Sequence, residues 1–406
     1  MERPYPKAVV TEKGERALRG GHPWVYEEEV VAFDETCPDG ELIDVCSGKG
    51  RYLGTGFFNR ASKIRIRLLS RNGNDRFDEA FWARRVRYAL DYRKTVMGGD
   101  FAACRLIFGE ADGFPGLTVD RFGDVLSVQI LCLGIDRRRD LILPLIVSTL
   151  REMGETVSSV YERSDSAIRE KEGMAPRTGF YSADGLTEGS GVTTIAENGL
   201  CFRVDYREGQ KTGFFLDQKY NRRAAARLAA GRRVLDAFTH TGAFALNCAA
   251  AGAASVTAVD VSEEALETAR YNAAQNGLAD KIAFLKADVF DYLTTLENER
   301  RRDFDFIILD PPAFTKSRGT VKDAIRGYRE INRRAMSLLP RGGYLATCSC
   351  SHFMTEPLFK QMLHGAADDA AVSLRQIAAR QQGPDHPILW NVPETAYLKF
   401  FLFQVV

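Results

Sequence analysis

Two aspartates on either side of a glycine-bearing turn carry the first recognisable chemistry in this 406-residue sequence. Val234 and Leu235 run into Asp236, the turn Phe238-Thr239-His240-Thr241-Gly242 follows, a helical pattern covers Ala243 to Ala251, and an apolar run from Ser255 to Val259 ends in Asp260. Strand, glycine turn, helix and strand in that order let the backbone pass close to a ligand, because glycine has no Cβ and tolerates positive φ. The acid closing the second strand is placed to accept hydrogen bonds from a ribose diol. The patterns G-x-G-x-x-G and G-x-x-x-x-G-K-[ST] are absent, and Asp236 at the mouth of the turn would receive a polyphosphate poorly. A cationic ligand with an amino acid end and a ribose end suits it better, which describes S-adenosylmethionine. Taken alone, the same turn could be a plain connection in any α/β domain.

A second group lies further along. Phe304 to Leu309 reads as a fully apolar strand ending in Asp310-Pro311-Pro312-Ala313-Phe314. The two prolines can continue neither strand nor helix, so they lock Asp310 and Phe314 toward whatever fills the cleft. A similar turn grips planar bases in enzymes that methylate exocyclic nitrogens. Past Gly342-Gly343, a strand from Tyr344 to Cys348 enters Ser349-Cys350-Ser351-His352-Phe353. Carbon 5 of cytosine is a poor nucleophile, and methylating it requires a thiolate that adds to carbon 6; Cys350 at a sheet edge beside a base grip could supply it. Cys348 and Cys350 could equally be small apolar fillers of a buried strand end.

These groups need a scaffold. Helices expected at Glu263 to Asn276 and Val321 to Leu339 alternate with strands at Ala283 to Lys286 and the runs above, which predicts a doubly wound parallel sheet with every motif on its carboxyl edge. Asp288 and Val289 follow the third strand there. Upstream, Ile195 to Arg207 reads as a hairpin through Asn198-Gly199. It leads into the aromatic loop Gly209 to Gln218, with Phe215 and Asp217, before a helix from Tyr220.

The first 72 residues carry short strands at Glu41 to Val45, Tyr52 to Phe58 and Ile64 to Leu69. In the last, Ile64, Ile66 and Leu68 face one way while Lys63, Arg65 and Arg67 face the other, a row of cations that is either a solvated edge or a phosphate-contacting stripe. A helix is expected from Asn74 to Met97. Strands at Cys104 to Phe108, Leu117 to Asp120, Val125 to Leu131 and Val160 to Arg163, with a helix at Arg138 to Arg151, complete a second α+β segment. Asp120-Arg121 and Glu162-Arg163 read best as ion pairs that hold it together.

The whole-chain balance sets limits. The net charge is +1, so nucleic-acid binding would need local patches rather than a global field. No run of eighteen apolar residues and no secretion-type leader is present, which predicts a cytoplasmic protein without a membrane partner. The eight cysteines are scattered, and Cys348 with Cys350 is a C-x-C pair, so reduced thiols and no metal are expected.

GHPWV at residues 21–25, within a segment 7–72 that also carries KGERALRGGHPWVYEEEV and IDVCSGKGRYLGTGFFN, resembles the PUA domain that opens a family of bacterial ribosomal-RNA methyltransferases. RLIFGEADGFPGLTVDRFGD with ERSDSAIREKEGM resembles that family's middle domain, and GQKTGFFLDQ is similar to the loop that lies over its methyl donor. DAFTHTGAF, DPPAF and SCS extend the likeness over essentially the whole chain. The resemblance implies an α/β protein with a PUA RNA-binding domain at 1–72, a small α+β domain at 73–190 that walls the substrate cleft, and a Rossmann-like methyltransferase domain at 191–406. It implies S-adenosyl-L-methionine held by Phe215, Asp217, Asp236, Phe238, Thr239, Gly242, Asp260, Asp288, Val289 and Asp310. Cys350 and Asp310 would be catalytic, with Pro311, Pro312 and Phe314 on the base and Lys63, Arg65 and Arg67 on ribosomal RNA. The implied product is 5-methylcytosine in large-subunit (23S) rRNA through a covalent cysteine adduct; a homodimer stays open. His240 stands where tyrosine is more usual, Cys348 adds a second thiol, and the DPPAF turn lacks the cysteine that two-cysteine RNA enzymes use to expel the catalytic one. Two rivals remain: an RNA base N-methyltransferase with a structural Cys350, and an RNA-binding scaffold without turnover.

Overall fold

Six short strands with alternating apolar residues build the N-terminal sheet of the computed structural model, which describes residues 3–315 and 317–406. They are β1 (Lys7–Val10), β2 (Trp24–Tyr26), β3 (Val30–Phe33), β4 (Leu42–Ser47), β5 (Tyr52–Phe58) and β6 (Ile64–Ser70), in the order β2-β6-β5-β4-β1-β3. Val10, Val25, Ile43, Val45, Phe58 and Ile66 form its core with Leu18 from the helix Glu12–Arg19. The next helix spans Glu79–Met97 and begins later than expected because Asp78 caps it, accepting from Phe81 N at 3.0 Å. A second sheet holds β7 (Ala103–Phe108), β8 (Leu117–Phe122), β9 (Val125–Ile130), β10 (Ser159–Ser164) and β11 (Arg177–Phe180) in the order β11-β10-β9-β8-β7. Both sheets lie in one compact unit, Met1–Ile195 with Val204–Leu216 and Pro384–Thr395.

The cationic stripe is not an open face. Arg67 is buried, donating to Glu172 at 2.8 Å and Glu110 at 3.2 Å. Arg65 is half-buried and meets Glu27 at 2.6 Å. Lys63 alone of the three is exposed, ahead of the strand. Alternation predicted which side chains share a face, and residues distant in sequence cover that face. Because removing one partner from a buried pair strands the other charge, Arg67→Ala should cost about 3 kcal/mol of stability. A thermal melt checks this; a variant that melts with the parent would return Arg67 to the solvent.

Asp120, Arg121 and Glu162 do form ion pairs that hold the middle segment together, but with partners other than the sequence neighbours expected for them. Asp120 accepts two bonds from Arg105 at 2.7 Å, Arg121 meets Glu155 at 2.9 Å and Arg139 meets Glu162 at 2.8 Å. Asp120 also accepts from the Thr212 hydroxyl, and Arg163 donates to the Gly209 carbonyl at 2.7 Å. These two contacts anchor the start of the Gly209 to Gln218 loop.

The hairpin β12 (Val192–Glu197) and β13 (Leu200–Asp205) turns through Asn198 and Gly199, both at positive φ. The second unit comprises Ala196–Arg203, Asp217–Gly383 and Ala396–Val406. Its sheet runs β14 (Arg233–Ala237), β15 (Ser255–Asp260), β16 (Ile282–Lys286), β17 (Phe306–Leu309), β18 (Tyr344–Ser349), β19 (Leu374–Arg380) and β20 (Lys399–Val405). The strand order is β16-β15-β14-β17-β18-β20-β19, parallel up to β18, with β20 antiparallel between β18 and β19. All four residues of β17 are buried, as a strand covered on both faces requires. The order reverses between β14 and β17, which places the crevice of an open α/β sheet at their carboxyl ends.

Candidate active site

The turn after β14 is held open by backbone geometry that few sequences adopt. Phe238, His240 and Gly242 have φ of 65°, 51° and 82°. A Cβ on Gly242 would sit 2.8 Å from Leu246 Cδ1 and 3.0 Å from Ala269 Cβ, so glycine is required both for its φ and for the tight entry into the helix Ala243–Ala250. Asp260 fixes the turn from the neighbouring strand, accepting from His240 N at 2.8 Å and from Ser262 N at 3.0 Å. The bond at position 240 comes from the main chain, so histidine supplies it as tyrosine would.

Asp236 is buried. One of its oxygens accepts from the Thr239 hydroxyl at 2.5 Å and from Ala245 N at 2.9 Å; the other has no protein partner among the described residues. Asp310, at the end of β17, accepts from Gln218 Nε2 at 3.1 Å, and Asp217 accepts from the Tyr397 hydroxyl at 2.5 Å. Burial, reinforced by the charges of Asp310 and Asp260, pushes the Asp236 carboxyl up to about 7. Burial and the charge of Asp217 push Asp310 up to about 6. Carboxylates that repel one another in a dry site, one with an unpartnered oxygen, form a receptor for a cation that brings its own donors.

Asp288 and Val289 have local duties. Asp288 is exposed and caps the helix Val289–Asn298, accepting from Phe290 N at 2.8 Å, while Val289 is buried in the core. Phe238 is half-buried and Thr239 buried. Phe215 belongs to the first unit, half-buried, with the Lys211 ammonium 4.6 Å from its ring centre.

The thiol end of the site follows from strand alternation. Ser349 and Ser351 face one side, where both hydroxyls meet the buried Tyr328 hydroxyl at 3.1 and 3.2 Å. Cys348 and Cys350 face the other, toward the proline turn. Cys348 is fully buried and shares a hydrogen bond with Asp310; burial holds its thiol protonated, well above its ordinary value. Cys350 is half-buried, its Sγ 4.0 Å from the Pro311 carbonyl oxygen. Pro311 is buried and Pro312 exposed. The Phe314 ring packs against Tyr328 at 4.5 Å and Phe290 at 5.8 Å, so it braces the turn and leaves only a half-exposed edge for a base.

Residues 180–404 match the family described as S-adenosylmethionine-dependent methyltransferase, and residues 8–71 match a PUA-like domain. Proteins named ribosomal RNA large subunit methyltransferase I are 37% identical in Klebsiella pneumoniae, over 99% of each chain, and 37% identical in Alteromonas mediterranea, over 98% of each. The chain belongs to this methyltransferase family. A solved structure described as a SAM-dependent methyltransferase from Streptococcus mutans superposes with a TM-score of 0.82 at 23% identity, covering 98% of this chain and all of that one, and a solved methyltransferase complexed with S-adenosylhomocysteine superposes with the same score, identity and coverage.

The acidic site fits the methyltransferase cofactor, since S-adenosylmethionine carries a sulfonium, an ammonium and a ribose diol. Sequence reading missed Val261, which follows Asp260 and is 65% exposed, an apolar surface suited to a planar ring. It missed Gln218, Tyr328 and Lys399 as well. Val261 was legible as an apolar residue just past the strand end; the other three are placed only by tertiary structure. Among the described residues no helix is long and apolar enough to cross a membrane, and no His, Cys, Asp or Glu group is arranged for a metal ion.

The carboxyls give this methyltransferase a predicted pH dependence. With Asp236 titrating near 7 and Asp310 near 6, both are protonated at low pH and a cationic donor binds their ionised forms better. Affinity for S-adenosylmethionine should rise from pH 5.5 to 8 and level off above, with proton release on binding below pH 7. Calorimetry in two buffers of different ionisation enthalpy reads this directly. Flat affinity with no proton release would mean that the cation does not meet these groups.

Proposed function

We propose that this chain methylates carbon 5 of a cytosine in large-subunit ribosomal RNA, with Cys350 as a transient covalent nucleophile. The observation that carries the reading is the placement of the half-buried thiol just past β18 against the Asp310-Pro311-Pro312 turn, Sγ to the Pro311 carbonyl oxygen 4.0 Å. The relatives named for large-subunit ribosomal RNA support the substrate.

The Cys350 thiolate adds to carbon 6, forming the C6–S bond and moving the ring electrons to carbon 5. Bound S-adenosylmethionine supplies the methyl group that carbon 5 takes. The carbon 5 proton then passes to water as the acceptor, its C–H electrons restore the C5–C6 double bond, and the C6–S bond breaks to release the Cys350 thiolate. Asp310, ionised at neutral pH, can accept from the exocyclic amino group and hold the base in register. Asp236, Asp260 and Asp217, with the Phe238 to Gly242 turn, would hold the donor. Lys63 keeps an exposed ammonium for a phosphate.

Mass mapping of ribosomal RNA from a strain lacking the protein tests this, because it reports base and atom together. One 5-methylcytosine should disappear. Loss of a base methylated on an exocyclic nitrogen would promote the N-methyltransferase alternative, and an unchanged map would favour a scaffold without turnover.

A further inference from the structure

The motif Gly21-His22-Pro23-Trp24-Val25 builds a cavity that the methyl-transfer chemistry does not use. Its walls include Trp24 from β2, Phe108 and Thr118 from β7 and β8, Glu110 between those two strands, and Val392 and Glu394 from the segment Pro384–Thr395, all within the first unit. Gly21 lets that segment dock: the Asn391 amide donates to its carbonyl, and a Cβ on it would fall 2.5 Å from Asn391 Nδ2. His22 Nδ1 accepts from Trp24 N at 3.3 Å, which leaves Nε2 to donate to Glu394 Oε2 at 3.2 Å. Trp24 Nε1 donates to Glu110 Oε1 at 2.9 Å, and Arg67 donates to the same oxygen at 3.2 Å. Each carboxylate thus spends one oxygen on the protein, and Glu110 Oε2 and Glu394 Oε1 accept no hydrogen bond from the described residues.

The Arg67 guanidinium already stands beside Glu110 and 5.7 Å from the Trp24 ring centre, so the wall does not lack a cation. It lacks N–H donors, set among aromatic rings. The cavity measures about 200 Å³, less than the roughly 300 to 1,000 Å³ of pockets for drug-sized ligands, which leaves room for one planar base with its sugar and phosphate outside. Among the RNA bases only guanine sets two donors side by side on its Watson–Crick edge, N1–H and the N2 amino group. Two residues before Val392, Trp390 is 96% exposed. Its loop is closed by Leu389 N on Thr395 Oγ1 at 2.9 Å and Val392 N on the Leu389 carbonyl at 2.8 Å, so the indole is held in water as a platform on which a base can stack. We propose that this cavity takes an unpaired guanine of the RNA substrate, its N1–H and N2 amino group on the free oxygens of Glu110 and Glu394, while Trp390 stacks on a neighbouring base. The inference rests on the reading of the substrate as RNA and adds a second recognised base to the one that is methylated.

The test is fluorescence anisotropy of the full-length protein with a labelled oligouridine that carries one central guanosine. This probe should bind about tenfold tighter than its adenosine, cytidine and all-uridine counterparts, the scale of one well-matched base contact. Inosine, which lacks the N2 amino group, should lose most of that preference. Glu110→Gln should erase it, because the amide oxygen stays with Trp24 and Arg67 and turns N–H groups toward the guanine donors. Glu394→Gln should reduce it for the same reason, its oxygen staying with His22. Trp390→Ala should weaken every probe about tenfold and keep the order among them; parent affinities in that variant remove the platform. Equal affinity of the parent for the four probes, or a preference for another base, overturns the proposal even if Glu110→Gln does not fold. So does a guanosine preference that Glu394→Gln leaves at the parent's value. Mass mapping of the deletion strain is scored separately. A guanosine preference with every 5-methylcytosine still in place keeps the cavity and removes the methylation reading, whereas a lost 5-methylcytosine with equal probe affinities removes the cavity and keeps the reading.

Discussion

Cys350→Ala is expected to reduce methylation of ribosomal RNA to background while binding S-adenosylmethionine within about twofold of the parent. The substitution removes the half-buried thiol beside the proline turn, the group proposed to add to carbon 6, and a covalent nucleophile is not replaced by its neighbours. Donor affinity should persist because Asp236, Asp260 and the turn between them are held by Thr239, Ala245, His240 and Ser262. Cys348→Ala gives the contrast. That thiol is fully buried and beside Asp310, so its loss should cost about 1 kcal/mol of stability and leave turnover measurable. Methyl transfer from tritiated donor, run beside calorimetry, reads both outcomes. A Cys350→Ala enzyme that still methylates would leave the base N-methyltransferase as the better account.

Asp260→Ala is expected to weaken S-adenosylmethionine by about 1 to 3 kcal/mol, the scale of hydrogen bonds to a charged group. Asp260→Asn should be nearly as damaging. Both carboxylate oxygens accept backbone N–H groups, from His240 and Ser262, and an asparagine would turn a donor toward one of them. Calorimetric affinities for the two variants settle the matter. Parent-like binding by either would place the ribose elsewhere in the unit.

Local patterns made much of this legible. The buried run Phe306–Leu309 announced a strand covered on both faces, and Asp236, Gly242 and Asp260 announced a tight strand–turn–helix–strand unit because their spacing follows from that geometry alone. The same reasoning misplaced Arg67. Alternation says which residues share a strand face, but its partners Glu110 and Glu172 are 43 and 105 residues away, and nothing local tells that they cover it. Phe314 is similar: its ring meets Tyr328 and Phe290 from two helices. The contact of Lys399 with the Ser351 carbonyl stayed hidden because it depends on β20 folding back antiparallel on β18, a pairing between segments some fifty residues apart. The SCS motif was read for its thiol, whereas the structure gives its serines a reason: both hydroxyls hold Tyr328, and alternation then turns Cys350 the other way.

The central claim is a covalent bond between Cys350 and carbon 6 of a cytosine. RNA carrying 5-fluorocytidine at the target tests it, since fluorine cannot leave as the carbon 5 proton does and the adduct cannot resolve. Incubated with S-adenosylmethionine and the parent enzyme, this RNA should give a protein–RNA species that survives denaturing electrophoresis, with the crosslink mapping to Cys350. Cys348→Ala should form it and Cys350→Ala should not. A parent enzyme that methylates ordinary RNA yet leaves no denaturation-resistant species with the fluorinated substrate, or a crosslink mapping to another residue, would contradict the account.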